Sequence, residues 1–274
     1  MKSSLIERQN PKEYMRRYLK VAPLALAIFR SIEAKNISSV KIEKPILDVG
    51  CGFGEFAGVF FDRKVEMGLD ISWKELVTAQ KSHKYKKLTW VDAREMPFAD
   101  NHFGTVLSVS VLEHIKNVEP VIKEIYRVLK KGNLFVFTTN TNKINNYLFW
   151  PEKFTTWGYP KLAKKYIKIY HKVFKHETLW TKDKWQKVLE RNGFEIVEIR
   201  EIISPEATKM FDFFIMTSWP FQIIKIITGK RMSWRPKWFR EMLVKRFAYL
   251  VEQEETEGSN LFVVARKKGL GTRQ

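Results

Sequence analysis

The chain has 274 residues, of which 45% are hydrophobic and 29% charged, and its formal net charge at pH 7 is +19. The length exceeds that of one typical domain by about one large insertion, and the hydrophobic content is ample for a buried core. A single cysteine excludes an intrachain disulfide and favours the reducing cytoplasm. The first residues become charged before an apolar core forms, which does not fit a secretory signal peptide.

The most informative motif follows the first predicted strand, Ile46–Val49. From Asp48 to Gly54 the chain reads D-x-G-x-G-x-G, and glycines at alternate positions let the backbone adopt positive φ values and approach a ligand closely. A helix that follows such a turn directs its N–H groups and the positive end of its dipole at that ligand. The spacing differs from the G-x-G-x-x-G fingerprint of dinucleotide-binding folds.

Two further carboxylates follow the next predicted strands. Asp70 ends a strand over 64–70 and lies 20 residues past the first glycine, where a ribose diol lies in a Rossmann-type unit. Asp92 and Ala93 follow a short strand over 88–91, and this pair can accept from an adenine amino group and donate to its ring. One strand-end aspartate is commonly a helix cap or turn residue. Three aspartates at the ends of successive predicted strands favour a nucleoside-binding site.

The next predicted elements are a strand over 101–109, a helix from residue 124 closed by Gly132 as its C-cap, and a strand over 134–139. The strand over 101–109 leads into the pair Glu113-His114. Together these motifs resemble the large type-11 group of class I, Rossmann-like, S-adenosylmethionine (SAM) methyltransferases. The resemblance covers about residues 44–140 and resumes at 192–197 and 260–265.

The resemblance implies an α/β fold: a doubly wound, seven-stranded, mostly parallel sheet with an antiparallel last strand, carrying aromatic and basic helical insertions. It also implies SAM as the cofactor. The residues expected to bind SAM are Asp48, Gly50, Cys51, Gly52, Gly54, Asp70, Ile71, Asp92, Ala93 and Ser108.

Methyl transfer from SAM needs an acceptor held at attack distance in a dry site, and an oxygen or nitrogen acceptor also needs a base. His114, next to Glu113, is the best-placed candidate, although a Glu-His pair here is also a structural element of the family. Ubiquinone-pathway O-methyltransferases, which this segment resembles, add a metal-binding Glu three residues before the pair. Here that position is Ser110, and we therefore predict no metal site.

An insertion over 141–180 is rich in aromatic residues and contains a basic amphipathic helix that starts at Pro160. Its predicted apolar side comprises Leu162, Ala163, Tyr166, Ile167, Tyr170, Val173 and Phe174. The other side carries Lys161, Lys164, Lys165, Lys168, Lys172 and Lys175. Two interpretations are open: a helix docked on the sheet with a basic outer face, or an interfacial helix on anionic lipid.

A second insertion, 203–258, holds an apolar run over 210–227 followed by a basic stretch. Asp212 and Pro220 interrupt the run, so it does not fit a transmembrane helix. It is predicted to lie in a membrane interface, to cover an apolar substrate, or to pack in the core. The predicted organisation is a helical cap (1–43), a SAM-binding core (44–140), the amphipathic insertion (141–180), continued core (181–202), the apolar and basic insertion (203–258), and a last strand with a tail (259–274).

SAM does not require a basic protein, so the net charge indicates an anionic partner. We predict a SAM-dependent methyltransferase that acts on a lipid, an isoprenoid quinone or another membrane-associated small molecule, in the cytoplasm and peripheral on the inner face of the membrane. The alternatives are an RNA (tRNA) methyltransferase and a SAM-binding regulatory protein without catalysis. The sequence predicts neither the acceptor atom nor the oligomeric state.

Overall fold

The computed structural model describes residues 10–217 and 235–269. Its centre is a sheet of seven strands: β1 (Ile46–Val49), β2 (Val65–Asp70), β3 (Tyr85–Trp90), β4 (Phe103–Val109), β5 (Leu129–Asn140), β6 (Phe194–Ile202) and β7 (Asn260–Lys267). Their order is β3-β2-β1-β4-β5-β7-β6. β7 pairs antiparallel with β5 and β6, whereas the pairs from β3 to β5 are parallel. The predicted fold class is confirmed.

Helices cover both faces of the sheet. They are α1 (Pro11–Tyr18), α2 (Leu24–Ile37), α3 (Glu55–Phe60), α4 (Trp73–Lys81), α5 (Glu119–Val128), α6 (Phe149–Thr156), α7 (Pro160–Phe174), α8 (Lys182–Arg191), α9 (Pro205–Thr217), α10 (Lys237–Phe247) and α11 (Tyr249–Glu252). Two 3-10 turns span Leu112–His114 and Asn142–Asn146. The predicted helix start at Pro160 agrees with the start of α7.

The two faces of the sheet are buried in two separate apolar clusters. Phe135 and Phe137 of β5 pack with Trp185 in the cluster under α5 and α8. Val136, between them, points into the other cluster, together with residues of α1 and α2. Because both faces are covered, the central strands β1 and β4 are buried at every position rather than at alternate positions.

Asp212 in α9 anchors the first insertion to the second. Its carboxylate is fully buried and accepts hydrogen bonds from the Tyr166 hydroxyl (2.5 Å) and the Trp150 amide (3.0 Å). The second bond satisfies an amide in the first turn of α6, which no intrahelical carbonyl can reach. The acid that interrupts the apolar run therefore has a structural partner on each helix of the α6–α7 hairpin.

The prediction that Gly132 closes a helix is wrong. α5 ends at Val128, and the next residue, Leu129, already pairs with Phe103 at the start of β5. Gly132, with φ +77°, lies in the strand where the β4–β5 register shifts. Strand pairing thus ends the helix before the local C-cap signal does.

Part of the predicted apolar insertion, residues 218–234, lies outside the described residues, as do 1–9 and 270–274. Among the described residues, no helix combines the length and the apolar character needed to span a bilayer.

Candidate cofactor and acceptor site

The predicted cofactor residues gather at one edge of the sheet. They lie at or just after the carboxyl ends of β1, β2 and β3, except Ser108, which lies inside β4. β1 and β4 are neighbours in the sheet although β2 and β3 lie between them in sequence. The crevice at such a reversal of strand order is where open α/β sheets bind their ligands.

The glycine turn has three positive φ values, and two of its glycines are required by packing within the protein. Gly50, Gly52 and Gly54 have φ values of +73°, +51° and +76°. A Cβ on Gly50 would lie 2.4 Å from Cγ1 of Val111, and one on Gly54 would lie 3.0 Å from the Tyr85 ring. Even without a ligand, a Cβ at Gly50 would clash with Val111, and a Cβ at Gly54 would push against the Tyr85 ring.

Gly52 differs from its neighbours in the turn. Within 4 Å of a Cβ built on it lies only one protein atom, Oε2 of Glu75, at 3.2 Å, the end of a flexible side chain. Among the described residues, protein packing therefore leaves this side of the turn open. An open cradle lined by backbone fits a ligand that approaches the turn closely, as SAM is expected to do.

Asp70 is fixed in place by the turn it faces. One carboxylate oxygen accepts from the Gly52 amide (2.9 Å) and the other from the Ser72 amide (2.8 Å). A carboxylate offers about four lone-pair sites, so each oxygen keeps capacity for a ribose hydroxyl. Ile71, the next residue, is exposed, and its carbonyl accepts from the Trp90 indole at 2.9 Å.

Asp48 lies behind the turn rather than on its surface. Its buried carboxylate accepts a 2.6 Å hydrogen bond from the Tyr85 hydroxyl. Burial raises the pKa of Asp48 to about 6, against the lowering effect of the Tyr85 hydrogen bond. Burial also raises the pKa of the Cys51 thiol, which is consistent with a packing role for that side chain.

Asp92 is half-buried just after β3, and its carboxylate is already paired with a cation. The Arg94 guanidinium binds both of its oxygens, at 3.0 Å and 2.5 Å, and this hydrogen bonding lowers the pKa of Asp92. An adenine amino group would therefore share this carboxylate with Arg94. Ala93 is buried next to it, and Ser108 is buried in β4 with no hydrogen-bond partner for its Oγ among the described residues.

A cation near the site comes from α2, which the sequence analysis did not predict. Buried Glu33 accepts from the Ser110 and Thr138 hydroxyls, both at 2.6 Å, and from Arg30 at 2.7 Å. The Arg30 guanidinium also lies 3.4 Å from the Val109 carbonyl, at the end of β4. A positive charge here complements a carboxylate such as that of the SAM methionine group. An Arg and a Glu three residues apart in an apolar helix were the signal for it.

Glu113 and His114 are adjacent in sequence but point to different environments. Glu113 is buried, accepts from the Thr139 hydroxyl at 3.1 Å, and has its pKa raised by burial. His114 is exposed, and its Nδ1 lies 3.2 Å from the Lys175 carbonyl. Because a carbonyl only accepts, Nδ1 carries the proton and Nε2 is left as the acceptor. Of the two side chains, only that of His114 is accessible to a ligand.

Within residues 10–217 and 235–269, no group of three or more His, Cys, Asp or Glu side chains could hold a metal ion. Ser110, at the position of the extra Glu, instead bonds Glu33.

Comparison with known proteins identifies the fold and the domain. The family described as "Methyltransferase domain" matches residues 47–137. A ubiquinone/menaquinone biosynthesis C-methyltransferase from Desulfotalea psychrophila is 30% identical over 125 residues, covering 43% of this chain and 51% of that protein. A sterol 24-C-methyltransferase from Gibberella zeae is 36% identical over 119 residues, covering 40% and 31%. The chain thus spans about a third to a half of the length of these relatives.

Among solved structures, a SAM-dependent methyltransferase from Thermotoga maritima, described as a possible histamine N-methyltransferase, superposes with a TM-score of 0.55 at 18% identity. The alignment covers 95% of this chain and 97% of that one. The fold is therefore that of the class I, Rossmann-like methyltransferases. Residues 47–137 match the methyltransferase-domain family, and the predicted family resemblance is confirmed over this part of the chain.

Proposed function

We propose that the chain is a SAM-dependent methyltransferase whose acceptor is a lipid, an isoprenoid quinone or another membrane-associated small molecule. The cofactor part rests on the open backbone cradle at Gly52 beside the fixed carboxylate of Asp70. SAM would supply an activated methyl group on its sulfonium. The chain's own residues would bind its ribose through Asp70, hold its carboxylate near Arg30, and leave Nε2 of His114 to take a proton from the acceptor.

The acceptor class is supported by the surface of α7. Its inner face packs through Ala163 and Tyr170, but Ile169 and Val173 are 51% and 59% exposed. Leu162 and, just before the helix, Trp157 and Tyr159 are exposed as well. The predicted apolar side is therefore split, because Leu162 and Val173 face outward. This split leaves an apolar stripe that residues 10–217 and 235–269 do not cover.

Exposed lysines flank that stripe. All six lysines of the predicted basic side are exposed, and no acidic residue occurs between Glu152 and Glu177. A helix with apolar and aromatic residues beside lysines matches the depth profile of an anionic bilayer surface, where each lysine contributes about 1 kcal/mol. RNA would need the charge but not the apolar stripe. The quinone-pathway and sterol methyltransferases to which the chain is similar also favour an apolar acceptor.

The membrane part of the proposal is tested by sedimentation with vesicles. The quadruple variant Lys161→Glu, Lys165→Glu, Lys168→Glu and Lys172→Glu is expected to lose binding to anionic vesicles and keep its affinity for SAM. The matched control reverses the charge of four exposed lysines away from α7: Lys123, Lys130, Lys131 and Lys187. We expect the control to sediment with the vesicles. Equal binding by both variants would show that general charge, not α7, attracts the protein.

The acceptor class is tested with methyl-labelled SAM and two extracts, total lipid and total RNA. We expect label in the lipid extract. If only RNA is labelled and wild-type protein does not bind anionic vesicles at low salt, the acceptor is RNA and the lipid proposal is wrong. SAM binding without transfer to either extract would favour the regulatory alternative.

A further inference from the structure

Two more histidines lie beside His114, in the first insertion. His171 lies in the last turn of α7, and its Nε2 lies 2.6 Å from Oδ1 of Asn145. His176 follows the helix, with its Nδ1 at 2.9 Å from Nδ1 of His171 and its Nε2 at 3.0 Å from Nδ2 of Asn140. The four side chains form one continuous hydrogen-bonded chain.

The donors and acceptors of these four side chains determine which nitrogen carries the proton on each histidine ring. Asn145 accepts through its oxygen, so His171 donates from Nε2 and accepts at Nδ1. His176 must then donate from Nδ1, and its Nε2 accepts from the Asn140 amide. Both rings are neutral in this arrangement. Burial lowers the pKa of both, that of His176 to about 3, with His114 and His171 adding to the effect.

The hydrogen-bonded side chains are connected to His114 by ring stacking and by hydrogen bonds to the backbone. The His176 ring stacks on the His114 ring with centroids 5.7 Å apart and planes 19° apart. The residue before it, Lys175, supplies the carbonyl that bonds Nδ1 of His114. Two residues after His176, Thr178 donates from its amide to the Glu113 backbone carbonyl at 2.9 Å. Its hydroxyl donates to the Ile115 backbone carbonyl at 2.7 Å. Hydrogen bonds therefore hold segment 175–178 against the turn that carries His114.

We infer that His176 is a positioning residue: held neutral by Asn140 and His171, it fixes segment 175–178 so that His114 keeps its proton on Nδ1 and presents Nε2 to an acceptor. The role of His114 as a base rests on the proposed function. The positioning itself does not, since the state of the His114 ring can be measured without SAM or an acceptor.

The test is the tautomer of His114, measured by long-range ¹H–¹⁵N NMR correlation on the labelled full chain. Wild-type protein is expected to show a protonated Nδ1. His176→Phe keeps a stacking ring but loses both hydrogen bonds, and we expect it to shift the tautomer ratio about fivefold towards protonated Nε2, the change for losing one ordinary hydrogen bond. His176→Gln, which can donate to His171 and accept from Asn140, is expected to restore most of the wild-type ratio.

His102→Phe serves as the matched control, because His102 is an exposed histidine outside this chain of hydrogen bonds. If His176→Phe does not fold, Asn145→Ala removes only the terminal acceptor and is expected to move the ratio in the same direction. An unchanged His114 spectrum in the folded variant would overturn the inference. Failure of the cofactor proposal would appear separately, as a lack of heat when SAM is titrated into wild-type protein.

Discussion

The buried carboxylate of Asp48 should make the stability of the protein fall between about pH 4 and pH 6. Its folded pKa of about 6 lies above the value of about 3.9 for an unfolded aspartate. A raised pKa means that the folded state binds the proton more tightly, so the stabilisation is complete below pH 4 and is lost as the pH rises through 6. At about 1.4 kcal/mol per pH unit, the loss is about 3 kcal/mol.

The variant Asp48→Asn isolates this effect, because an amide oxygen can still accept from the Tyr85 hydroxyl but the side chain does not titrate. Urea denaturation of wild type and variant at several pH values from 4 to 7 gives the two free energies of unfolding. We expect the variant to gain about 3 kcal/mol relative to wild type over this range, whatever the other groups contribute. A difference that does not change with pH would refute the reasoning.

Three further substitutions test separate parts of the site and the fold. Asp70→Ala should weaken SAM binding by about 1–3 kcal/mol through the lost ribose acceptor, and an unchanged dissociation constant in calorimetry would contradict the assignment. Gly50→Ala should lower the free energy of unfolding by about 1–3 kcal/mol because its Cβ meets Val111, and adding Val111→Ala should recover part of the loss in urea titrations. Asp212→Ala should cost about 1–3 kcal/mol by leaving buried donors unpaired, whereas Tyr166→Phe should cost less; equal thermal stability of Asp212→Ala and wild type would show that the tether is dispensable.

Local patterns predicted the elements that carry the cofactor site. The strand Ile46–Val49, the turn after it, and the strand ending at Asp70 lie where the sequence places them. Glycines with positive φ and acids at strand ends are determined by neighbours in the sequence, which explains this agreement. Gly132 shows the limit, because its C-cap signal gave way to the long-range pairing of Leu129 with Phe103.

The contacts that sequence analysis missed join distant parts of the chain. Tyr85 meets Asp48 across 37 positions, and Glu33 meets Thr138 across 105. Neither pair follows a period of a helix or a strand, so no local pattern predicts it. The same holds for the hydrogen-bonded chain beside His114, which depends on how the α7 insertion folds back onto the sheet. The domain boundaries and the roles of the cofactor residues stay predictions.

The central claim is that the turn at Gly52 holds SAM, and calorimetric titration of SAM into three proteins tests it most directly. Wild-type protein and Gly132→Val should bind one SAM with equal affinity, because Gly132 also has a positive φ but lies in β5, outside the glycine turn, and has open space around its Cβ. Gly52→Val should give no binding heat while keeping the fold, since its side chain fills the cradle. Wild-type affinity in Gly52→Val, or no binding by wild-type protein, would contradict the account.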